Sequence, residues 1–501
     1  MTIKLIIKDH VNCQFVGLPP GVRRELSKTL ECFLPEARYS PQYKMGRWDG
    51  KITFCSEVSS ETYINCLDTL LPVLLKYYDS EEIEIEDRRV FEDFKFEEID
   101  KFFLSDTYWP DGHPLAGEPI ILSDEQVFAI NNYLNNNTGI QSLPTGLGKT
   151  IITACLSKIV EAYGRSIVIV PSKSLVTQTE QDYKNVGLDV GVFYGDRKEV
   201  FHQHIITTWQ SLSSLMKSGQ TSEGITMADI LEDMKVVICD ETHSAKGKEL
   251  QKILLGPFKN IQLRWGMTGT VPKEKHNRLY VTTALGELIG QVKASVLQDK
   301  GILAKCHVNI LEVADRVEYA DYREEKLYLT TNEQRLDWLA YFAKNLAHDT
   351  GNVLLLVENI ETGKYLQNLI ENSEFVHGIT KNEKRAETYK DINKQDNRVL
   401  IATYGVAAVG ININRLFNVI LVEPGKSFIR VIQSIGRGIR VAADKSYVDI
   451  WDFTSDSKFS KRHCNKRKEY YRDVSYPYTT LKLDLETKPT FTSVKSFFSK
   501  P

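Results

Sequence analysis

The sequence has no run of 18 apolar residues, the length at which a chain is read as a membrane-spanning helix, so no span is expected. None of its eight cysteines forms a Cys-x-x-Cys pair, which argues against a zinc site or a disulfide framework. Cys155 and Cys239 lie inside apolar runs and read as buried, reduced thiols. Residues 1–8 form a strand-like run too short for a signal peptide, so the protein is expected to be soluble and intracellular. Charge of one sign is also missing. The formal net charge is −3, a balance that hides local asymmetry and excludes no polyanionic partner. There is no short internal repeat, and residues 1–115 hold no carboxylate–lysine cluster of the kind a metal-dependent nuclease needs.

What is present is a long chain with a regular alternation. At 501 residues it exceeds one hydrophobic core, and two to four domains are expected. Residues 1–90 mix short strands with a helix-like stretch at 22–33. The run 79–100 is strongly acidic and reads as a solvated connector. From 115 to 300 apolar strands alternate with helices, and 350–455 repeat the pattern, which predicts parallel sheets covered by helices on both faces. The expected fold class is α/β, two tandem parallel-sheet domains behind a small α+β domain. The expected boundaries are 1–90, 91–305 and 306–480, followed by a flexible tail at 481–501, where periodicity is lost.

Two segments carry the chemistry. Leu143-Pro144-Thr145-Gly146-Leu147-Gly148-Lys149-Thr150 has the spacing of a phosphate-cradling loop, with Leu143 where the strict pattern has glycine. Such a loop offers backbone N–H groups and a helix N-terminus to phosphate oxygens. Pro144, Thr145, Gly146 and Gly148 would form the cradle, and Lys149 would reach the β/γ-phosphates. Val236-Val237-Ile238-Cys239-Asp240-Glu241-Thr242-His243 is an apolar strand ending in paired carboxylates. Thr150 and Asp240 would hold Mg²⁺, and Glu241 would orient or deprotonate the attacking water. A third element, Gln433-Ser434-Ile435-Gly436-Arg437-Gly438-Ile439-Arg440, puts two guanidiniums at i and i+3, on one face of a helical turn. Arg437 and Arg440 there suit arginine fingers on a triphosphate, with Gln433 beside them.

In this order, the three elements resemble helicase superfamily 2, of the DEAH type, across residues 115–455. The resemblance implies two RecA-like motor domains and use of ATP with Mg²⁺. Gln126 resembles the glutamine that recognises adenine upstream of the loop. Ser172 and Lys173, in Val170-Pro171-Ser172-Lys173, resemble motif Ia; Thr208, Trp209 and Gln210 resemble the next strand-contacting motif. Thr268-Gly269-Thr270 resembles motif III, and Asn359 falls in a stretch similar to motif IV. The segment from Thr403 through Gly410 to Asn412 resembles motif V, but ends Gly-Ile-Asn where the family has Gly-Ile-Asp. By this analogy the hydroxyls and N–H groups of these motifs track the phosphates of one nucleic-acid strand.

The N-terminal segment Arg38-Tyr39-Ser40-Pro41-Gln42-Tyr43-Lys44-Met45-Gly46-Arg47-Trp48-Asp49-Gly50-Lys51 narrows the resemblance to the UvsW-type phage branch-migration helicases. It implies a grip on duplex arms through Arg38, Lys44, Arg47, Trp48 and Lys51. It also implies forked or junction DNA as substrate, work in an infected host cell's cytoplasm, and a monomer. Trp48 reads equally as core filler beside an Asp49-Gly50 turn. Residues 458–472 carry seven basic side chains against one acid, and a helix presenting Lys461, Arg462, Lys466, Arg467 and Arg472 would suit phosphate neutralisation. In the tail, Val494 with Phe497 and Phe498 resembles a sliding-clamp-binding peptide. Three other readings stay open: an RNA helicase, the translocating subunit of a nuclease or restriction complex, and a non-catalytic DNA-binding scaffold. No motif here reveals a contact to a 2′-hydroxyl.

Overall fold

The computed structural model describes residues 3–111, 115–242, 248–269, 271–272, 274–380, 382–409, 413, 415–425, 447–473 and 475–485. The chain divides into two compact units, residues 1–143 with 148–292 and residues 293–501 with 144–147. No described helix is long and apolar enough to cross a membrane.

The N-terminal part of the first unit holds β1 (Ile3–Ile7), β2 (Asn12–Val16), β3 (Glu31–Phe33), β4 (Lys51–Thr53), β5 (Glu61–Tyr63) and β6 (Ile83–Asp87). A four-stranded sheet has the order β5-β2-β1-β6, with β6 parallel to β1, and β3–β4 forms a separate antiparallel pair. Alternate residues of β1 and β2 face inward, so Ile3, Leu5, Ile7, Cys13 and Phe15 are buried against helices Pro20–Thr29 and Leu67–Leu74. The stretch read as helix-like at 22–33 splits into helix Pro20–Thr29 and strand β3. Leu279 and Tyr280 of the neighbouring domain complete this core, and the Phe54 and Tyr280 rings meet edge-on at 5.1 Å.

The acidic run is no solvated connector. Its first part is strand β6, and residues 88–99 lie as a strap along the next domain. Phe94 and Phe96 stack on each other at 5.6 Å, and both meet the ring of Tyr163 edge-on. Three side chains each bond both the N–H and the C=O of one strap residue. Gln262 holds Glu92 at 3.0 and 3.1 Å, the Tyr163 hydroxyl holds Lys95 at 2.9 and 2.9 Å, and Asn131 holds Ile99 at 2.9 and 2.9 Å. Backbone groups that a loop would leave to water are thus satisfied by protein.

The first motor sheet comprises β7 (Thr138–Ser142), β8 (Arg165–Val170), β9 (Val190–Tyr194), β10 (Arg197–Lys198), β11 (His204–Thr208), β12 (Met234–Asp240), β13 (Leu263–Thr268) and β14 (Leu288–Gln291). Its order is β10-β9-β11-β8-β12-β13-β7-β14, parallel except for the short β10. Val236, Val237, Ile238 and Cys239 are all buried, as a strand covered on both faces requires. Burial raises the thiols of Cys155 and Cys239 to about 12, and both stay free, as their apolar surroundings imply. Arg264 is fully buried without a carboxylate among its described partners. Its guanidinium donates to the carbonyls of Leu254, Phe258 and Ala284 at 2.6–2.8 Å, and burial lowers it to about 10.

The second unit's sheet comprises β15 (Lys305–Val313), β16 (Val353–Val357), β17 (Ser373–Val376), β18 (Val399–Thr403), β19 (Asn418–Val422), β20 (Tyr447–Ser455) and β21 (Tyr478–Leu483). The order is β17-β18-β16-β19-β20-β15-β21, parallel throughout. Strand β21 runs past residue 480, and Leu483 and Leu485 are buried in this domain's core. The first residues of the expected tail are therefore part of a polar edge strand. The candidate clamp peptide at 491–501 lies outside the described residues.

A buried charge network fixes helix Lys458–Asp473 to this sheet. The Arg467 guanidinium bonds both carboxylate oxygens of Asp452 at 2.8 Å, and the Tyr471 hydroxyl donates to the same carboxylate at 2.9 Å. Arg467 is 2% exposed, so it belongs to the core and is unavailable to phosphate, contrary to its grouping with the helix's other cations. Glu325, itself buried, accepts the backbone N–H groups of Phe459 and Ser460 at the helix start.

Candidate nucleotide and nucleic-acid sites

Sheet register gathers the first set of candidates. Asp240 pairs with Met267, and Met267 pairs with Gln141, so β12, β13 and β7 end at one level. Asp240 closes β12, and the phosphate loop leaves β7 two residues beyond Gln141. Leu143 donates its N–H to the Thr268 carbonyl at 2.8 Å, tying the loop's entrance to the end of β13. Ligands bind at such strand carboxyl ends in open parallel sheets.

Helix Lys149–Val160 begins at Gly148, which takes φ +82°; Gly146 takes φ +93°. A β-carbon on Gly148 would sit 2.6 Å from Nε2 of Gln126, so glycine is needed for space as well as for backbone conformation. Gln126 itself closes a capping box at helix Asp124–Leu134. Its Oε1 accepts from the Ser123 N–H at 2.9 Å, and Ser123 Oγ accepts from the Gln126 N–H at 3.2 Å. The structure therefore fixes this glutamine beside the phosphate-loop helix.

The three charged candidates of this domain meet directly. Lys149 Nζ is 2.7 Å from Glu241 Oε1 and 3.9 Å from Asp240 Oδ1, with 10–15% of each side chain exposed. Glu241 adopts φ +54°, a left-handed conformation that costs a non-glycine residue about 1–3 kcal/mol. Its N–H donates to Asp240 Oδ1 at 2.9 Å, which offsets part of that cost. Next in the chain, Thr242 packs on Gly266: a β-carbon there would meet its methyl at 2.6 Å. Thr150 lies in the first turn of the loop's helix. Its hydroxyl with a carboxylate forms a hard-oxygen donor set suited to magnesium.

Three of the candidate strand-contacting residues share a structural role. Ser172, Thr208 and Asn359 are each the N-cap of a helix that follows a parallel strand, β8, β11 and β16 respectively. Their side-chain oxygens accept from the N–H groups of Leu175, Ser211 and Thr362. The capping pattern was readable, since all three precede amphipathic runs. Ser172, Lys173, Thr208 and Gln210 line one open cleft, together with Lys198 and Ser211, which sequence reading missed. Trp209 instead packs against the domain's hydrophobic core. In the second unit Thr403 closes β18 and pairs with Val357, putting Asn359 and Thr403 at neighbouring strand ends.

In the N-terminal domain the basic loop between β3 and β4 is closed by local bonds. The Trp48 indole N–H donates to the Lys51 carbonyl at 2.8 Å, and Asp49 accepts from the Lys51 N–H at 3.0 Å. A β-carbon on Gly50, φ +80°, would strike the Phe33 ring at 2.5 Å. Lys51 is paired with Glu31 at 2.5 Å. Trp48 and Lys51 thus build the turn, while Arg38, Lys44 and Arg47 are exposed around it. Gln433, Arg437, Arg440, Gly410 and Asn412 lie outside the described residues.

A parallel-sheet domain with a phosphate loop in register with paired carboxylates, followed by a second such sheet, defines a tandem-domain nucleotide motor. Residues 119–273 match the family described as "Type III restriction enzyme, res subunit", and 334–442 match "Helicase conserved C-terminal domain". The chain is 26% identical over 473 residues to the ATP-dependent DNA helicase uvsW of Enterobacteria phage T4, covering 86% of this chain and 87% of that protein. It is 22% identical over 254 residues to the DNA 3'-5' translocase XPB2 of Sulfurisphaera tokodaii, covering 48% and 50%. Among solved structures, S. cerevisiae Dbp5 bound to RNA and ADP BeF3 superposes with a TM-score of 0.52 at 18% identity, over 75% of this chain and 94% of that one. The Type ISP restriction-modification enzyme LlaBIII bound to DNA gives 0.54 at 16%, over 84% and 35%. Both structural matches speak to the fold alone. The chain belongs to the superfamily 2 helicases, is similar to uvsW, and is an ATP-dependent enzyme.

Proposed function

We propose that this helicase works on DNA, spending ATP to unwind and branch-migrate forked and junction substrates during phage replication, recombination and repair. The observation that carries the reading is the breadth of the similarity to uvsW, 86% of the chain, a span the two motor domains alone do not fill. We read residues 1–90 as a DNA-binding accessory domain and the two RecA-like domains as following it, the second extending through β21 to Leu485, with a tail after that.

In this reading the carboxylate cluster and the loop form the nucleotide site. Pro144, Thr145, Gly146 and Gly148 receive phosphate oxygens, Gln126 meets adenine, and Lys149 exchanges Glu241 for phosphate. Thr150 and Asp240 would hold Mg²⁺, which neutralises charge on the phosphates. Glu241, freed by that exchange, takes a proton from water. Arg437 and Arg440, with Gln433 and Gly410, supply the second domain's share of the site. Ser172, Lys173, Thr208, Gln210, Asn359 and Thr403 hold strand phosphates at helix N-termini, which favour anions. Contacts of that kind read structure and no base sequence. Arg38, Lys44 and Arg47 grip a duplex arm. The tail offers Val494, Phe497 and Phe498 to a sliding clamp, and the enzyme acts as a monomer in the host cytoplasm.

The test is a comparison of ATPase and strand-separation rates on single strands, forks, four-way junctions and RNA. Fork or junction DNA should stimulate most. Equal or greater stimulation by RNA would overturn the DNA reading.

A further inference from the structure

Helix Lys458–Asp473 has one buried face and one charged face, and the two are cleanly separated. Ser460, His463, Cys464, Arg467 and Tyr471 are buried. The exposed positions are Lys458, Lys461, Arg462, Asn465, Lys466, Glu469 and Arg472, which recur at the three- and four-residue spacing of a single helical face. Five of those seven are cations and one is an acid. Among the described residues, Lys461, Arg462 and Lys466 have no carboxylate within ion-pair distance. Ion pairs elsewhere in this unit include Lys326 with Glu358, Arg316 with Asp484 and Arg415 with Asp396. An unpaired row of like charges repels itself and is retained at a cost.

That row is also held rigidly. Arg467 to Asp452, Tyr471 to Asp452 and Glu325 to the helix N-terminus fix the buried face to β20 and to helix Tyr322–Thr331. From Lys458 to Arg472 the helix is about 21 Å long, at 1.5 Å per residue. About six base pairs of duplex have that axial length. The face carries no exposed aromatic side chain, which single-strand binding by base stacking would need.

We propose that this face is a second duplex-binding surface, on the second motor domain, which docks along the phosphates of a DNA arm. It rests on the DNA reading above and adds a contact outside the motif residues and outside the N-terminal domain. It gives the enzyme a hold on double-stranded DNA on the second motor domain as well as on the N-terminal domain.

The test uses the full chain with Lys461, Arg462 and Lys466 all changed to Glu, and in a second variant all changed to Gln. Affinity for a blunt duplex and for a single strand is measured by anisotropy across a salt series. The log–log salt slope for duplex should fall in magnitude by about 2–3, at ~0.9 for each phosphate no longer neutralised. The slope for single strand should hold. The Gln variant should show the same fall with the thermal midpoint of the unsubstituted chain. An unchanged duplex slope in both variants overturns the proposal. An equal fall on single strand overturns the assignment to duplex. If the unsubstituted chain neither binds nor unwinds DNA, the function reading fails instead, and the two failures are told apart.

Discussion

Lys149 Nζ lies 2.7 Å from Glu241 Oε1, so the cation proposed for phosphate is held by the carboxylate proposed for water. Both side chains are nearly buried, and breaking such a pair by removing one partner costs about 3–5 kcal/mol. Lys149→Ala should therefore lose ATP turnover and also lower the thermal midpoint without nucleotide. DNA affinity should hold, because the cleft lined by Ser172 and Thr208 does not include it. A variant with normal turnover would remove Lys149 from the site.

Glu241→Gln keeps the shape of the side chain and leaves Asp240 in place. Nucleotide affinity should be retained while turnover falls by roughly 10²–10⁴, the usual worth of a general base. Single-turnover hydrolysis measured beside nucleotide binding separates the two effects. A loss of binding with unchanged single-turnover rate would place Glu241 among the binding groups.

Arg437→Ala and Arg440→Ala should each cut turnover by about 10³–10⁵ with little change in ATP affinity, the signature of a guanidinium acting on transition-state charge. If both variants lose only DNA affinity, these arginines face the nucleic acid.

Arg47→Ala and Lys44→Ala should each reduce the salt slope of duplex binding by ~0.9. Lys51→Ala should change it less, because Lys51 is paired with Glu31 and its backbone closes the Trp48 turn. Equal effects from all three would mean that the Glu31 pair opens on binding DNA.

Burial raises the Glu423 carboxyl from 4.5 to about 7, and Arg335, 3.0 Å away, opposes the shift without cancelling it. The folded state then binds the extra proton between those two values, so this group's contribution to stability falls as pH rises through the window. Thermal midpoints of the unsubstituted chain should decline from about pH 5 to pH 7 relative to those of Glu423→Gln. Parallel pH profiles would show that the carboxyl is ionised throughout.

The strands that position the candidate sites were legible because both their faces are buried. Val236 to Cys239 and Val353 to Val357 are continuous apolar runs, and the polar residues that end them are the candidate site residues. Strand β21 was hidden because an edge strand is half solvated: Tyr-Thr-Thr-Leu-Lys-Leu holds strand-forming residues but lacks the continuous apolar run of the covered strands. The strap was hidden because its acids face water while Phe94 and Phe96, two residues apart, carry the packing. Arg467 could not be told from its basic neighbours, since its partner Asp452 lies on another element. The meeting of Lys149 with Glu241 needed a sheet register that brings together positions 92 residues apart.

Gln262, Tyr163 and Asn131 grip the strap by its main chain, so most strap side chains are free of any recognition duty. Asp93, Lys95 and Glu97 can change with little penalty, as long as Phe94 and Phe96 remain. The segment is therefore a tolerant place for a fluorophore, an affinity handle or a protease site. A cut there would leave its two ends seated in the same three grips, and the nicked enzyme would keep its N-terminal domain.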